Sequence, residues 1–388
     1  MLPVLEVLRV SLRLGLTSFG GPVAHLGYFR HEYVERRGWL TDAEYADTVA
    51  LCQALPGPAS SQVGIAVGTA RAGYLGGLAA WAGFTLPSAL ALGAFALLLR
   101  DVDMSRAGWV HGLLIVAVAV VAQAVWGMAR SLTPDAERVA LALVAAAAML
   151  LASQAAMQVA VLGAAGLYGW VRWRRLDVTS STVVRVEARH RRLAPWWLAL
   201  FGVLIAGLNA ARALGGHDSA AAMAEVSARA GSLVFGGGHV VLPLLEEGFV
   251  PRWLTAEEFL AGYGAAQAVP GPLFTFAAYL GAKGFGAGGA VLATASIFAP
   301  SFLLVWGIGP YWGRLRSQRA VRGALRGVNA GVVGILAAAF YTPVITSAIE
   351  DAADVGLAVA CGVLLFVGRR PPWMVVLVAA AGGAVLSW

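Results

Sequence analysis

The sequence predicts an all-α polytopic membrane protein made of two homologous helical halves. Three observations carry that prediction: an apolar composition, charge-poor runs long enough to cross a bilayer, and a series of motifs that occurs twice in the same order. Of the 388 residues, 59% are hydrophobic and 13% charged, and the mean hydropathy is +0.74, far from the balance of a water-soluble domain. Runs such as 77–99, 110–129, 139–171, 259–280 and 327–341 are almost free of charge. Most match the roughly 20 residues a helix needs to cross hydrocarbon. A soluble fold with buried helices would need amphipathic covering helices, and these are nearly absent.

The duplication extends well beyond its glycines. Phe19-Gly20-Gly21-Pro22 is followed by Leu51-Cys52-Gln53-Ala54-Leu55-Pro56-Gly57-Pro58, and Phe235-Gly236-Gly237-Gly238 by Ala265-Ala266-Gln267-Ala268-Val269-Pro270-Gly271-Pro272. Val10–Gly15 answers Val226–Gly231 at an offset of 216, and Trp39-Leu40-Thr41 answers Trp253-Leu254-Thr255 at 214. Leu86-Pro87-Ser88 has a weaker counterpart in Ala299-Pro300-Ser301. An ordered series of this kind marks an internal repeat.

Along the chain, residues 4–26 form a first apolar element, irregular at Gly20-Gly21-Pro22, and 45–70 a second, interrupted at Pro56-Gly57-Pro58. Proline there removes a donor and restricts the residue before it. In hydrocarbon such a break is tolerated only against protein or a wet cavity. Spans follow at 77–99 and 109–129, and the neutral 130–138 connection can be external. The run 139–171 is one long tilted helix or a pair bent near Ser153-Gln154 or Gly163. Keeping 100–106 and the later basic linker on the same side favours one net crossing and parallel halves; the bent pair would invert the second half. The domains are thus residues 1–171, a basic linker at 172–194, and 195–388, with roughly 10 to 13 membrane elements in total.

The net charge of +7 comes almost entirely from arginine, Lys283 being the single lysine. It concentrates in loops, which read as cytoplasmic by the positive-inside rule and carry no nucleic-acid-binding signature. No cleavable leader is expected, since the first apolar stretch contains Arg9 and Arg13 and already carries the repeat. Cys52 and Cys361 read as buried thiols. No metal-ligand cluster is evident. The glycine clusters lack the GxGxxG and GxxxxGK[ST] patterns, so no cofactor, nucleotide or enzymatic role is expected, and an ion-gradient-driven carrier fits better than an ATP-driven pump.

Duplicated breaks in helices are what many carriers place near the membrane midplane. Each Pro-Gly-Pro (Pro56, Gly57, Pro58; Pro270, Gly271, Pro272) would leave unpaired amides at the start of a half-helix, a setting that receives anions. Ser60, Ser61, Gln62 and Thr275 follow the breaks, and Gln53 and Gln267 precede them. Gly20, Gly21, Gly236 and Gly237 mark the other break in each half. Arg13 and the equivalent Arg229, with Arg30 and Lys283, could draw an anion; snorkelling to headgroups is the plainer role for each. His25 and His239, whose imidazoles titrate near neutral pH, and Glu246 and Glu247 are candidates for proton coupling or gating. Packing or interface anchoring is the plainer alternative.

The stretches FGGPVAHLGYFR (Phe19 to Arg30), LCQALPGPASSQ (Leu51 to Gln62), FGGGHVVLPLL (Phe235 to Leu245) and GYGAAQAVPGPLFTFAAYLG (Gly262 to Gly281) resemble the chromate ion transporter family in its long, fused two-domain form. The resemblance implies a multi-pass protein of the cytoplasmic membrane that exports chromate, confers chromate resistance and draws on the proton-motive force. Its expected partners are chromate or a related tetrahedral oxyanion and membrane lipid, with a homodimer as an option and no nucleic acid. In that scheme chromate enters a cavity drawn by Arg30 with Arg13 or Arg229, binds between the two Pro-Gly-Pro breaks, and leaves as the halves rock. A carrier of sulfate or another oxyanion is the alternative, and a non-transporting membrane scaffold or sensor a more distant one.

Overall fold

The computed structural model describes residues 2–99, 108–152, 154–173, 191–235 and 238–386. The first half contains α1 (Leu2–Thr17), α2 (Gly21–Arg30), α3 (Asp42–Ala54), α4 (Ala59–Leu98), α5 (Gly108–Leu132), α6 (Ala136–Leu151) and α7 (Ala155–Trp173). The second contains α8 (Ala194–Gly215), α9 (Ala220–Leu233), α10 (Val241–Phe249), α11 (Ala256–Ala266), α12 (Phe276–Ile308), α13 (Arg319–Ala339), α14 (Ala352–Phe366) and α15 (Pro372–Leu386). Five segments are long and apolar enough to cross a membrane, and shorter apolar helices accompany them. The all-α polytopic class therefore stands. Cys52 and Cys361 are buried free thiols, as expected.

Equivalent helices start and bend in equivalent ways. Thr41 caps α3 and Thr255 caps α11, each in a reciprocal capping box with the glutamate three residues on, which satisfies two otherwise orphaned amides. Within α4 the chain reverses at Ala72–Gly73, and within α12 at Phe285–Gly286, with φ values of −142° and 67° in one and −136° and 65° in the other. The reversals are sharp. A Cβ added to Gly68 or Gly76 would strike the carbonyl of the other, and Gly281 and Gly289 are related in the same way. Eight residues of continuous helix would hold each pair about 12 Å apart. The arm before each reversal is a half-helix, and only the arm after it is long enough to span.

The long arms of α4 and α12 pack against each other in opposite directions. Tyr74 meets Trp306, Trp81 meets Phe298 and Phe302, and Gly93 faces Ala290. The first series ascends the chain as the second descends. Equivalent helices that run antiparallel are related by an axis across the helices, so the halves are inverted. This corrects the expectation of parallel halves. The reason lies in two segments. The 139–171 run is the bent pair: α6 and α7 form a hairpin whose ends meet where Tyr168 Oη donates to Glu137 at 2.6 Å and Arg172 pairs with Glu137 at 2.8 Å. The second is α8, which precedes α9, the equivalent of α1, and has no counterpart among the described residues of the first half. Its 22 residues span about 33 Å and carry the chain to the other side before the repeat restarts. The most apolar part of α8 has none of its residues buried, as suits a helix that faces lipid.

The two ends differ in charge. One gathers Arg37 and Arg71 on Glu6, Arg316 on Asp47, Arg172 on Glu137 and Arg191 beside the Pro310 carbonyl. The other holds Lys283 with Glu258 and the Leu99 carbonyl, His111 with Asp354, and Arg252 near Asp218. Glu137 thus sits at the arginine-rich end with the linker, which corrects the external placement of 130–138. Residues 100–107 lie outside the described residues, but Leu99, which leads into them, is at the opposite end from the linker.

The halves are also interlocked. The α6–α7 hairpin clasps α13 of the second half, where a Cβ on Gly327 would strike the Ala165 carbonyl and one on Gly334 the Ala142 carbonyl. Reciprocally, α14 and α15 clasp α5 of the first half, Gly112 lying against the Ala379 carbonyl and Gly383 against that of Gly108. His111 Nε2 and Asp354 Oδ1, 2.7 Å apart, fasten this second clasp. Glycine at these contacts lets backbones approach to within van der Waals range.

At the centre each Pro-Gly-Pro break hydrogen-bonds to the Phe-Gly-Gly break of the opposite half. Gly57 N–H donates to the Val234 carbonyl at 2.6 Å and Gly271 N–H to the Ser18 carbonyl at 2.9 Å. Both glycines have positive φ, 121° and 103°, and each faces a serine of the other half, Ser301 and Ser88.

Inversion makes a direct prediction. Ala43 and Glu257 occupy equivalent exposed positions, so single cysteines placed there should react with a membrane-impermeant thiol reagent from opposite sides; labelling from one side would restore the parallel arrangement. The central contacts make a second. A Cβ at Gly271 would stand 2.7 Å from Ser88 Oγ, whereas one at Gly21, φ 75°, meets nothing within 4 Å. Gly21→Ala should therefore cost only the left-handed backbone penalty, about 1–2 kcal/mol, and lower the detergent melting temperature slightly. Gly271→Ala should lower it further, with the part of the excess due to Ser88 recovered by adding Ser88→Gly and the part due to the Phe84 carbonyl, 3.2 Å from the added Cβ, retained.

Candidate functional site

The two Phe-Gly-Gly breaks meet on the axis between the halves: a Cβ on Gly238 would lie 3.7 Å from Pro22 Cγ. Beside them is a cavity of about 20 Å³ lined by Gly20, Gly21, Pro22, His239, Gln267 and Gly271, with Pro372 from the tip of the α14–α15 hairpin. That is room for about one water. A larger ion requires the halves to part.

The lining is rich in neutral donors. Helix α2 begins here with no side-chain cap on its first turn, leaving amides and the positive end of the helix dipole at the cavity. Gly20 and Gly21, at φ 96° and 75°, shape that entry. Gln267 Nε2 is buried without a hydrogen-bond partner among the described residues, an arrangement that costs about 1–3 kcal/mol unless something fills it. His239 Nδ1 lies 2.5 Å from Tyr263 Oη. With the hydroxyl donating, the neutral ring carries its proton on Nε2. Among the described residues no arginine, lysine or carboxylate lines this cavity. Donors without a fixed counter-charge suit an anion.

The expected arginines do not converge here. Arg30 is half-exposed and is held by Asp42 at 2.7 Å and by Glu35. Arg13 is 60% exposed and 3.9 Å from Glu32, a buried carboxylate already paired with Arg36 and Arg37. Arg229 bonds Glu225 at 3.0 Å and faces Glu247 at 3.7 Å. Lys283, instead of standing in a vestibule, is buried between Glu258 and the Leu99 carbonyl. Each cation has a carboxylate partner of its own: Arg30 and Arg13 at the exposed surface, Arg229 and Lys283 in pairs with a buried member, where leaving either charge alone in low dielectric would be costly.

The Pro-Gly-Pro breaks likewise do other work than expected. The Gly57 and Gly271 amides are taken by the opposite half and are not offered to an anion. Gln62 Nε2 donates to the Pro56 carbonyl at 2.6 Å, and Thr275 Oγ1 to the Pro272 carbonyl at 2.8 Å, so both side chains cap the breaks. Pro58 and Pro270 flank the glycines. Ser60 Oγ is 3.4 Å from His25 Nδ1, and Ser61 Oγ is buried without a partner among the described residues. His25 is buried beside Phe84, away from the cavity that His239 lines. Gln53 is exposed while its equivalent Gln267 turns inward. Gly236 and Gly237 lie outside the described residues. Glu246 and Glu247 line a different cavity.

Sequence reasoning missed Ser18, Val234, Tyr263 and Pro372. Ser18 and Val234 each precede a Phe-Gly-Gly, a signal in hand had the backbone carbonyls been considered. Pro372 is about a hundred residues or more from every other residue of the cavity lining, and no local pattern announces it.

No solved structure matches the chain. A probable chromate transport protein of Synechococcus elongatus is 25% identical over 347 residues, covering 86% of this chain and 83% of that protein. A chromate transport protein of Pseudomonas aeruginosa is 28% identical over 338 residues, covering 84% and 78%. One from Cupriavidus metallidurans is 25% identical over 348 residues, covering 86% and 81%. The family described as chromate transporter matches residues 5–170 and 221–384, one stretch in each half, and the chain belongs to that family in its long two-half form.

Proposed function

We propose that this protein exports chromate across the cytoplasmic membrane, driven by the proton-motive force, and that cells carrying it gain chromate resistance. The observation that carries the reading is the axial cavity, where the orphaned Gln267 amide and the free start of α2 face a space with no charge of its own. A tetrahedral dianion could be held there by several neutral donors at once, each stronger for the charge it meets. The names of the relatives supply chromate as the substrate.

Inverted halves support an alternating mechanism. Rocking about the axis opens the cavity to one side and then the other, and its present water-sized volume corresponds to a closed state. The arginine-rich end is cytoplasmic by the positive-inside rule, so exported anions enter through a basic field that raises their local concentration. Sulfate, of the same shape and charge, is the competitor to test.

In proteoliposomes, Gln267→Ala should raise the chromate concentration for half-maximal transport by about ten- to a hundredfold, the worth of one hydrogen bond to a charged group at about 1.5–3 kcal/mol. Arg13→Gln, remote and exposed, should leave it near the wild-type value. Equal effects of the two changes, or chromate transport blocked by equimolar sulfate, would move the substrate site or its selectivity elsewhere.

A further inference from the structure

A second cavity, of about 230 Å³, lies away from the axis between α10, α13 and the tip of the α6–α7 hairpin. Glu246, Glu247 and Gln158 supply its polar lining together with Thr342, and the rest is largely apolar, with Met149 and Ile335 among it. Its chemistry is opposite to that of the axial cavity: carboxylate and amide oxygens in place of donors. A dianion would be repelled from it.

The two glutamates are not alike. Glu247 faces Arg229 Nη1 at 3.7 Å, and Arg229 in turn bonds Glu225, which also accepts from Arg212. Glu246 has no ion-pair or hydrogen-bond partner for its carboxyl among the described residues. Gln158 gives an independent sign that something is held here: it is 1% exposed, lines the same cavity, and its Oε1 has no donor among the described residues. An uncompensated carboxylate and an orphaned acceptor in one cavity are both satisfied by one species that brings positive charge and an N–H or O–H donor. A proton on Glu246 removes the charge and supplies an O–H in the cavity whose wall holds the Gln158 oxygen.

The charged and titratable groups facing Glu246 are few. In the cavity lining the other titratable group is Glu247 of α10, itself turned to Arg229 of α9; His239, in the turn at 238–240 ahead of α10, lines the axial cavity and is engaged with Tyr263. From α13, the 340–345 turn and the α6–α7 hairpin, no titratable side chain lines the cavity. Nothing among these groups neutralises Glu246.

We propose that Glu246 is the group that binds the coupling proton, in a cavity separate from the anion site, with Gln158 as its positioning residue. The inference rests on the proton-coupled reading above and assigns that coupling to one carboxyl. The equivalent position in the first half is Arg30, at an offset of 216, so the repeat carries no second copy of this site.

The test uses the full-length protein in liposomes, with chromate as the anion and a pH gradient as the drive. Glu246→Gln should lose accumulation driven by the gradient while keeping chromate–chromate exchange. Glu246→Asp should keep driven accumulation with a shifted pH profile, and Gln158→Leu should shift that profile without abolishing transport. Driven accumulation retained in Glu246→Gln, or lost only in Glu247→Gln, overturns the assignment. So does a wild type driven by a sodium gradient at constant pH through Glu246. If the wild type shows no chromate exchange, the anion reading fails on its own. Infrared difference spectra between high and low pH then decide for Glu246: the wild-type carboxylic-acid band must vanish in Glu246→Gln, and its persistence sinks the proposal.

Discussion

Two backbone hydrogen bonds hold this architecture at its centre, Gly57 N–H to the Val234 carbonyl and Gly271 N–H to the Ser18 carbonyl. Each joins a broken helix of one half to a broken helix of the other. A break in hydrocarbon exposes polar groups that lipid cannot satisfy, so neither half could bury its Pro-Gly-Pro alone. The opposite half supplies the missing acceptor, and the exchange of hairpins around α5 and α13 follows the same logic at larger scale. Positive φ at both glycines aims the amide across the axis, and the facing serines leave no room for a side chain. The duplication is therefore a structural necessity as well as a record of descent.

That constraint also accounts for which donors line the axial cavity proposed to take the anion. With the Pro-Gly-Pro glycine amides engaged between halves, the donors left over belong to the start of α2 and to Gln267. These are dipoles, while the arginines are spent on carboxylates nearer the two ends. A carrier must release what it binds. Neutral donors hold a dianion by hydrogen bonds that can be exchanged for water, whereas a buried arginine would have to be recompensated each time the anion left.

Much of this was legible in the sequence, and the failures have physical causes. Apolar run length disclosed the helices, and the repeat located the Phe-Gly-Gly and Pro-Gly-Pro breaks, including the irregular start at Gly20-Gly21-Pro22, but not the reversals at Ala72–Gly73 and Phe285–Gly286. The orientation of the halves was misread because it turned on loop charge near 100–106 and on one ambiguous run, 139–171, where the separation into α6 and α7 decides the topology. The unmatched helix α8 was visible as an extra span ahead of Val226, and it was the better guide: an odd insertion between copies inverts the second. The arginines were misjudged because a sequence shows charges but not their partners. Arg30, Arg13 and Arg229 look available until Asp42, Glu32 and Glu225 are seen beside them. Gln53 and Gln267 were read as equals, yet only Gln267 faces the cavity.

The unequal side chains on a nearly symmetric backbone are what give such a carrier a direction. Inverted halves with equal side chains would treat the two sides of the membrane alike, since exchanging their conformations would reproduce the same molecule upside down. Here the exchange is not neutral. Where the first half carries Arg30, at the arginine-rich end and paired with Glu35 and Asp42, the second carries Glu246 facing a cavity. Arg13 and Arg229 are equivalent in sequence, but one is largely exposed and the other lies in a carboxylate network that reaches Glu247. In the alternating scheme proposed above, the backbone repeat would supply two related states, and these substitutions would make their energies depend on which side is open and on what is bound there. Coupling needs that dependence, because a ligand shifts an equilibrium only by its differential affinity for the two states.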